Sequence, residues 1–176
     1  ARELGGREPF ALLLPDMLIQ NSHGCLAQMI DAARAIGEPA NVIAVEEVPK
    51  ERVHMYGVVG VGETKGKLFG ITEMVEKPPA AKAPSNLIIT GRYILQPEIF
   101  DILALQSRGA GGEIQLTDAM IELARTQPFY GLKFDGQSFD CGSKIGFLTA
   151  NIAYALARPD LAPALRKEAK RLFGDG

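Results

Sequence analysis

Two short apolar runs on either side of a helical stretch limit the possible folds of this chain more than any other feature. Residues 10–14 (FALLL) are continuously apolar, as in a strand buried on both faces of a parallel sheet. Pro15 and Asp16 end the run. Over residues 22–36, Leu26, Met29, Ile30, Ala33 and Ile36 recur at three- and four-residue spacing, which predicts one apolar helix face. Ser22 is placed to cap the start of that helix and Gly37 its end. Residues 41–48 (NVIAVEEV) then read as a second strand, so the chain opens as a β-α-β unit.

The middle of the chain changes character. Residues 56–61 and 68–75 are strand-like and flank a Gly/Lys-rich segment at 62–67, which predicts a hairpin with a loop of several residues. Residues 76–86 carry three prolines and read as loop. Residues 87–95 (LIITGRYIL) form a strand interrupted at Gly91, where a bulge or a close backbone approach is expected. Pro97 opens a helix to about Leu105, and Gly109 to Gly112 (GAGG) form a flexible connector. A helical pattern covers about 117–125. Asp135-Gly136 between residues 129–134 and 137–139 signals a second hairpin turn. Two helices, 143–157 and 160–173, close the chain.

Size and charge narrow the class. At 176 residues one domain with a full core is possible without staples, and 47% hydrophobic against 23% charged residues is a globular balance. The net charge of −2 gives no bulk attraction for nucleic acid or an anionic membrane. No apolar run approaches the roughly 20 residues that span a bilayer. Two cysteines, Cys25 and Cys141, are too few for a disulfide scaffold and suit a reducing cytosol. The expectation is a single cytoplasmic α/β domain over residues 1–176, with no nucleic acid and no membrane as partner. The opening Ala1-Arg2-Glu3, without an initiator methionine, reads as a processed start or a fragment.

Three places can carry chemistry. Asp16 directly follows a predicted strand, where open α/β sheets bind ligands, though Pro-Asp is also ordinary turn chemistry. Asp140, in Ser138-Phe139-Asp140-Cys141-Gly142-Ser143-Lys144, ends a strand before a helix, so it can bind metal or cap that helix. Brought together, the two carboxylates suit Mg²⁺, which takes one or two carboxylates plus substrate phosphates. In Glu76-Lys77-Pro78, proline favours an extended Lys77. Lys77 can then hold a phosphate as a point charge and Glu76 can accept from sugar hydroxyls, or the tripeptide is a solvated turn. Gly57 either lets a ligand approach the backbone or relieves a strand bend. His23 and His54 have no third ligand-like neighbour for zinc, and Cys141 reads as a small buried residue. Neither Gly5-Gly6 nor GAGG has the context of a dinucleotide-binding turn, and no Walker loop is present.

In order, Leu14-Pro15-Asp16, Tyr56-Gly57-Val58-Val59, Val75-Glu76-Lys77-Pro78, Pro84-Ser85-Asn86, Gly91-Arg92-Tyr93, GEIQLTD (112–118) and Phe139-Asp140-Cys141-Gly142 resemble a known family. The chain looks like the carboxy-terminal portion, somewhat over half, of the bacterial UTP–glucose-1-phosphate uridylyltransferases (UDP-glucose pyrophosphorylases). No single motif decides it, since Glu-Lys-Pro recurs across the sugar nucleotidyltransferases; the order of the motifs, with the GEIQLTD and FDCG forms, is specific to this branch. The resemblance covers nearly the whole chain. It implies a partial Rossmann-like nucleotidyltransferase fold, a mixed sheet flanked by helices with β-hairpin insertions and C-terminal helices.

The resemblance also implies an activity: UDP-glucose and pyrophosphate formed from UTP and glucose 1-phosphate with Mg²⁺, by in-line attack on the α-phosphorus. It makes Asp16 and Asp140 the metal ligands and Lys77 the contact to the sugar phosphate. Glu76 and the Gly57 backbone correspond to groups on the glucose hydroxyls, and Asn86 lines the same pocket. It further implies a homo-oligomer, dimer or tetramer, with the terminal helices as possible contacts. Family members begin with a glycine-rich nucleotide loop that nothing here matches. The chain by itself is therefore expected to bind UTP poorly and to turn over little, with its first strand at a hydrophobic sheet edge. Two other readings stand beside this one: a sugar nucleotidyltransferase of other base specificity, and a non-catalytic sugar-phosphate-binding module.

Overall fold

The computed structural model describes residues 6–37, 39–106 and 114–174. The chain opening at 1–5 and the GAGG connector lie outside the described residues. In chain order the elements are β1 (Phe10–Leu13), β2 (Met17–Gln20), α1 (Cys25–Ile36), β3 (Asn41–Glu47), a 3₁₀ turn (Lys50–Met55), β4 (Gly57–Lys65), β5 (Leu68–Glu76), β6 (Leu87–Leu95), α2 (Ile99–Leu105), α3 (Leu116–Leu123), β7 (Phe129–Lys133), β8 (Gln137–Asp140), α4 (Lys144–Leu156) and α5 (Ala162–Phe173). They form two compact units. The larger takes in the described residues of Ala1–Leu14 and His23–Asp135, the smaller those of Pro15–Ser22 and Gly136–Gly176.

The larger unit is built on a six-stranded sheet in the order β1-β6-β3-β7-β5-β4, with β4 also touching β6 at Val58 and Ile88. Among the described residues only β3 and β7 run parallel; the other pairs are antiparallel, so the sheet is mixed. Val42, Ile43, Ala44 and Val45 of β3 are all buried, which is why this strand lacks polar alternation. β6 is buried along nearly its whole length between β1 and β3. Ile43, Val59, Phe69, Leu95, Ile99 and Met120 are among the core side chains, each contributing about 1.5–3 kcal/mol on full burial.

Gly91 is the bulge the sequence predicts. Ile43 faces Tyr93 while Val45 faces Ile89, so two steps on β3 match four on β6. Gly91 has φ +69°, and a Cβ there would stand 2.9 Å from Leu14 Cδ1. The same bulge anchors the chain leaving β1, because Leu14 N–H donates to the Gly91 carbonyl at 2.9 Å and Arg92 Nη1 donates to the Leu14 carbonyl at 2.7 Å.

Several local expectations change. β1 is not buried on both faces of a parallel sheet: it is antiparallel to β6, lies at the sheet edge among the described residues, and alternates in exposure. Leu13 remains 44% exposed, as expected of a hydrophobic edge. β1 and β3 are not neighbours because β6 runs between them, so the opening is not a simple β-α-β pair. Gly24, not Ser22, precedes α1 as its N-cap, while Gly37 ends the helix in the left-handed conformation as predicted. The β4–β5 ladder extends to Lys65 and Leu68, so the turn is only Gly66-Lys67, with Gly66 at φ +64°. Asp135-Gly136 does not turn a hairpin: β7 pairs with β3 and β5, whereas β8 pairs with β2.

The smaller unit is the antiparallel β2–β8 ribbon with α4 and α5. β2, which has no counterpart among the predicted strands, supplies the partner that β8 needs. Ser143 caps α4, its Oγ accepting from Gly146 N–H at 3.1 Å. Phe139 and Tyr154 pack ring against ring at 6.0 Å, and Ala150 is buried. No helix among the described residues is long and apolar enough to cross a membrane.

Candidate functional site

In the smaller unit the ribbon register sets Met17 opposite Asp140. Asp16, one residue before Met17, therefore lies at the same end as Asp140, and Cys141 N–H donates to the Asp16 carbonyl at 2.7 Å. The carboxylates follow the backbone. A Cβ placed on Gly142 would stand 3.0 Å from Asp140 Oδ1 and 3.4 Å from Asp16 Oδ2, so both side chains converge on one point. Asp140 Oδ1 accepts from Gly142 N–H at 3.0 Å, which fixes its rotamer. Its carbonyl, not its carboxylate, accepts from Ser143 Oγ at 3.0 Å. Ser143 takes the helix-capping role, leaving the Asp140 carboxylate toward Asp16. Among the described residues no cluster of three or more His, Cys, Asp or Glu is assembled. Two hard oxygen donors on a partly open edge fit a divalent cation that completes its shell with substrate oxygens and water.

In the larger unit a second group forms where β4 begins and β5 ends. Gly57 pairs with Glu76, and Lys77 N–H donates to the Tyr56 carbonyl at 3.0 Å. Lys77 is not extended as predicted. Its φ is +47°, and it is the only non-glycine with positive φ among the described residues. The ladder holds its N–H on Tyr56, so the chain breaks away from β5 through the left-handed region, at a cost of about 1–2 kcal/mol. Its ammonium group is exposed, with Nζ 3.9 Å from Glu76 Oε1.

Glu76 is half-buried and held on its other oxygen, Oε2, which accepts from Thr117 Oγ1 at 2.8 Å. A Cβ on Gly57 would stand 3.1 Å from that same oxygen and 3.0 Å from Ile89 Cδ1, so a side chain there would press on both neighbours. Tyr93 lies in the field of this carboxylate. Burial first, and the Glu76 charge second, push its hydroxyl up to about 12, with Arg92 pulling the other way. Asn86 is oriented by its Nδ2 donating to Glu47 Oε1 at 2.9 Å, while its carbonyl accepts from Val48 N–H at 3.0 Å.

The chain matches the model of the nucleotidyl transferases over residues 1–156. It belongs to the nucleotidyl transferase family. A relative named UTP–glucose-1-phosphate uridylyltransferase, from Staphylococcus haemolyticus, is 43% identical over 98% of this chain and 59% of its own length. A UDP-glucose pyrophosphorylase structure complexed with UDP-glucose superposes with a TM-score of 0.82 at 38% identity, over 89% of this chain and 60% of that one. A UTP-bound structure from Acinetobacter baumannii gives 0.84 at 36% identity, over 99% and 60%. The chain thus spans about 59% of the length of the curated relatives it matches. The mixed sheet flanked by helices is the nucleotidyl transferase architecture that these neighbours share.

Asp16 and Asp140 fall in the smaller unit, whereas Gly57, Glu76, Lys77 and Asn86 fall in the larger. Cys141 is half-buried beside the aspartates, and His23 is turned to Asp31 at 2.9 Å. The contact that reading the sequence misses is Thr117. A threonine at the start of a helical pattern signals a cap, and nothing in its spacing points 41 residues back to Glu76.

Proposed function

We propose that the protein is a UTP–glucose-1-phosphate uridylyltransferase, forming UDP-glucose and pyrophosphate with Mg²⁺. The observation that carries this reading is the Glu76–Lys77 corner: a fixed carboxylate beside an exposed ammonium, on a backbone held in a strained turn. Such a corner offers an acceptor for ring hydroxyls next to a point charge for a phosphate, the two ends of a sugar 1-phosphate. The names of the relatives support the choice of glucose and uridine.

The residues then divide the work. Lys77 holds the sugar phosphate, Glu76 and the Gly57 backbone hold glucose hydroxyls, and Asn86 lines the pocket with an amide already oriented by Glu47. Asp16 and Asp140 would hold Mg²⁺, which when bound neutralises phosphate charge as a Lewis acid. No protein nucleophile is required, because the sugar phosphate oxygen forms the new P–O bond as pyrophosphate leaves. The chain's contribution is alignment of the attacking oxygen and exclusion of competing geometries. Residues 1–176 form part of one catalytic domain in this reading, supported by a family match over residues 1–156 that takes in residues of both compact units. The two free thiols suit a cytosolic setting.

The test is product analysis of the protein expressed from its complete reading frame, with glucose 1-phosphate and each nucleoside triphosphate in turn. UDP-glucose is expected as the main product. Preference for another base, or no nucleotide sugar at all, overturns the reading. We also propose a homo-oligomer, supported by the exposed apolar side chains Ile145, Phe147 and Leu148 of α4. Light scattering is expected to give a dimer or tetramer, and a monomer contradicts it.

A further inference from the structure

We infer that Thr117 is a positioning residue which decides the oxygen that Glu76 presents to the sugar. The inference rests on the proposed reading of Glu76 as a sugar ligand. Thr117 lies in the first turn of α3, whose N-cap is Gln115, and it is buried. A threonine inside a helix commonly returns its hydroxyl to the carbonyl one turn back. Here Oγ1 reaches out of the helix to Glu76 Oε2 at 2.8 Å. An ionised carboxylate only accepts, so the single hydroxyl proton of Thr117 is committed to that oxygen.

Gly57 stands beside the same oxygen: a Cβ there would be 3.1 Å from Oε2, and strand pairing of Gly57 with Glu76 keeps that neighbour in place. Thr117 cannot drift, because Ala119, Met120 and Leu123 bury α3 against the core. Oε1 is the oxygen left on the side of Lys77, with Nζ at 3.9 Å. Glu76 therefore offers one oriented acceptor, in register with the lysine that takes the phosphate. A carboxylate free to rotate would accept from hydroxyls in several orientations and would discriminate poorly between epimeric hexoses. Thr117 thus acts on sugar selection without touching the sugar.

The experiment compares wild type, Thr117→Val and Thr117→Ser in steady-state kinetics of the protein from its complete reading frame. Valine keeps the β-branched shape and loses the hydroxyl, whereas serine keeps the hydroxyl. For Thr117→Val the KM for glucose 1-phosphate should rise roughly tenfold, the scale of one lost hydrogen bond to a charged group. The KM for UTP should stay as in wild type, and the preference for glucose 1-phosphate over an epimeric hexose 1-phosphate should fall. Thr117→Ser should restore both. A double-mutant cycle with Glu76→Gln guards against a merely structural effect: with Glu76 already changed, removing the hydroxyl should add little.

Unchanged sugar KM and epimer preference in Thr117→Val overturn the inference. So does an equal rise in both substrates' KM, or full additivity with Glu76→Gln. A wild type that does not use glucose 1-phosphate refutes the functional reading itself and this inference with it. An active wild type with an indifferent Thr117→Val refutes the inference alone.

Discussion

Asp16 and Glu76 carry the same functional group in different settings. Asp16 is exposed and its carboxylate converges with that of Asp140 beside Gly142, whereas Glu76 is half-buried with one oxygen already bonded. Asp16→Asn should lower kcat on the order of a hundredfold and weaken the response to Mg²⁺, as loss of a metal-holding group does. Glu76→Gln should act mainly on the KM for the sugar phosphate. Comparable losses of kcat in both, with Mg²⁺ affinity unchanged, contradict the assignment. Tyr93 makes a prediction about pH. Its native hydroxyl titrates near 12 against 10 for the free group, so the native state keeps the proton that the unfolded chain releases. That contribution is complete below pH 10 and is lost as pH rises toward 12, about 2–3 kcal/mol in all. In denaturant titrations over this range wild type should lose stability faster than Tyr93→Phe; parallel loss contradicts the account. Asp16 and Asp140 were singled out by the strand-end rule for open α/β sheets, yet they converge at one end of the antiparallel β2–β8 ribbon, whose pairing the sequence did not reveal. The left-handed Lys77 was not legible, since proline at the next position argues for extended backbone and only the ladder to Tyr56 overrides it.

Helix α4 shows how an element positions a side chain. Its first turn sits directly on Asp140, so that a Cβ on Gly146 would lie 1.9 Å from the Asp140 carbonyl oxygen. The obstacle is backbone, which no rotamer change relieves. Gly146→Ala should therefore destabilise the protein by roughly 1–3 kcal/mol, as overpacking does, and displace Asp140 from Asp16 with loss of Mg²⁺-dependent turnover. Gly70→Ala is the control, because a Cβ there would meet only the Glu63 carbonyl oxygen, at 4.0 Å. Equal stability of the two variants in chemical melts contradicts the packing. Element positions were legible where period and punctuation agreed, as for β3, β6 with its Gly91 bulge, and α1 ending at Gly37. Pairing was not. Asp135-Gly136 has hairpin chemistry, yet β8 finds β2, over a hundred residues earlier, since local turn preference says nothing about which distant strand offers a complementary edge. β2 itself is four half-buried residues, too short to signal a strand by alternation.

At the scale of the whole molecule, the larger unit carries the Glu76–Lys77 corner, proposed to take the sugar phosphate, and the smaller unit carries the Asp16–Asp140 pair, proposed to hold Mg²⁺. The nucleotidyl transferase match, residues 1–156, takes in residues of both. The proposed group transfer calls on both sets of residues, since a module that only bound sugar would have no use for paired aspartates. Pyrophosphate release separates these possibilities in one assay. It is followed with UTP in excess, for the protein from its complete reading frame, while glucose 1-phosphate and Mg²⁺ are each supplied and withheld. The account predicts release only when both are present, matched mole for mole by UDP-glucose. Release without the sugar phosphate, or without Mg²⁺, contradicts it, as does sugar phosphate bound with no release at all.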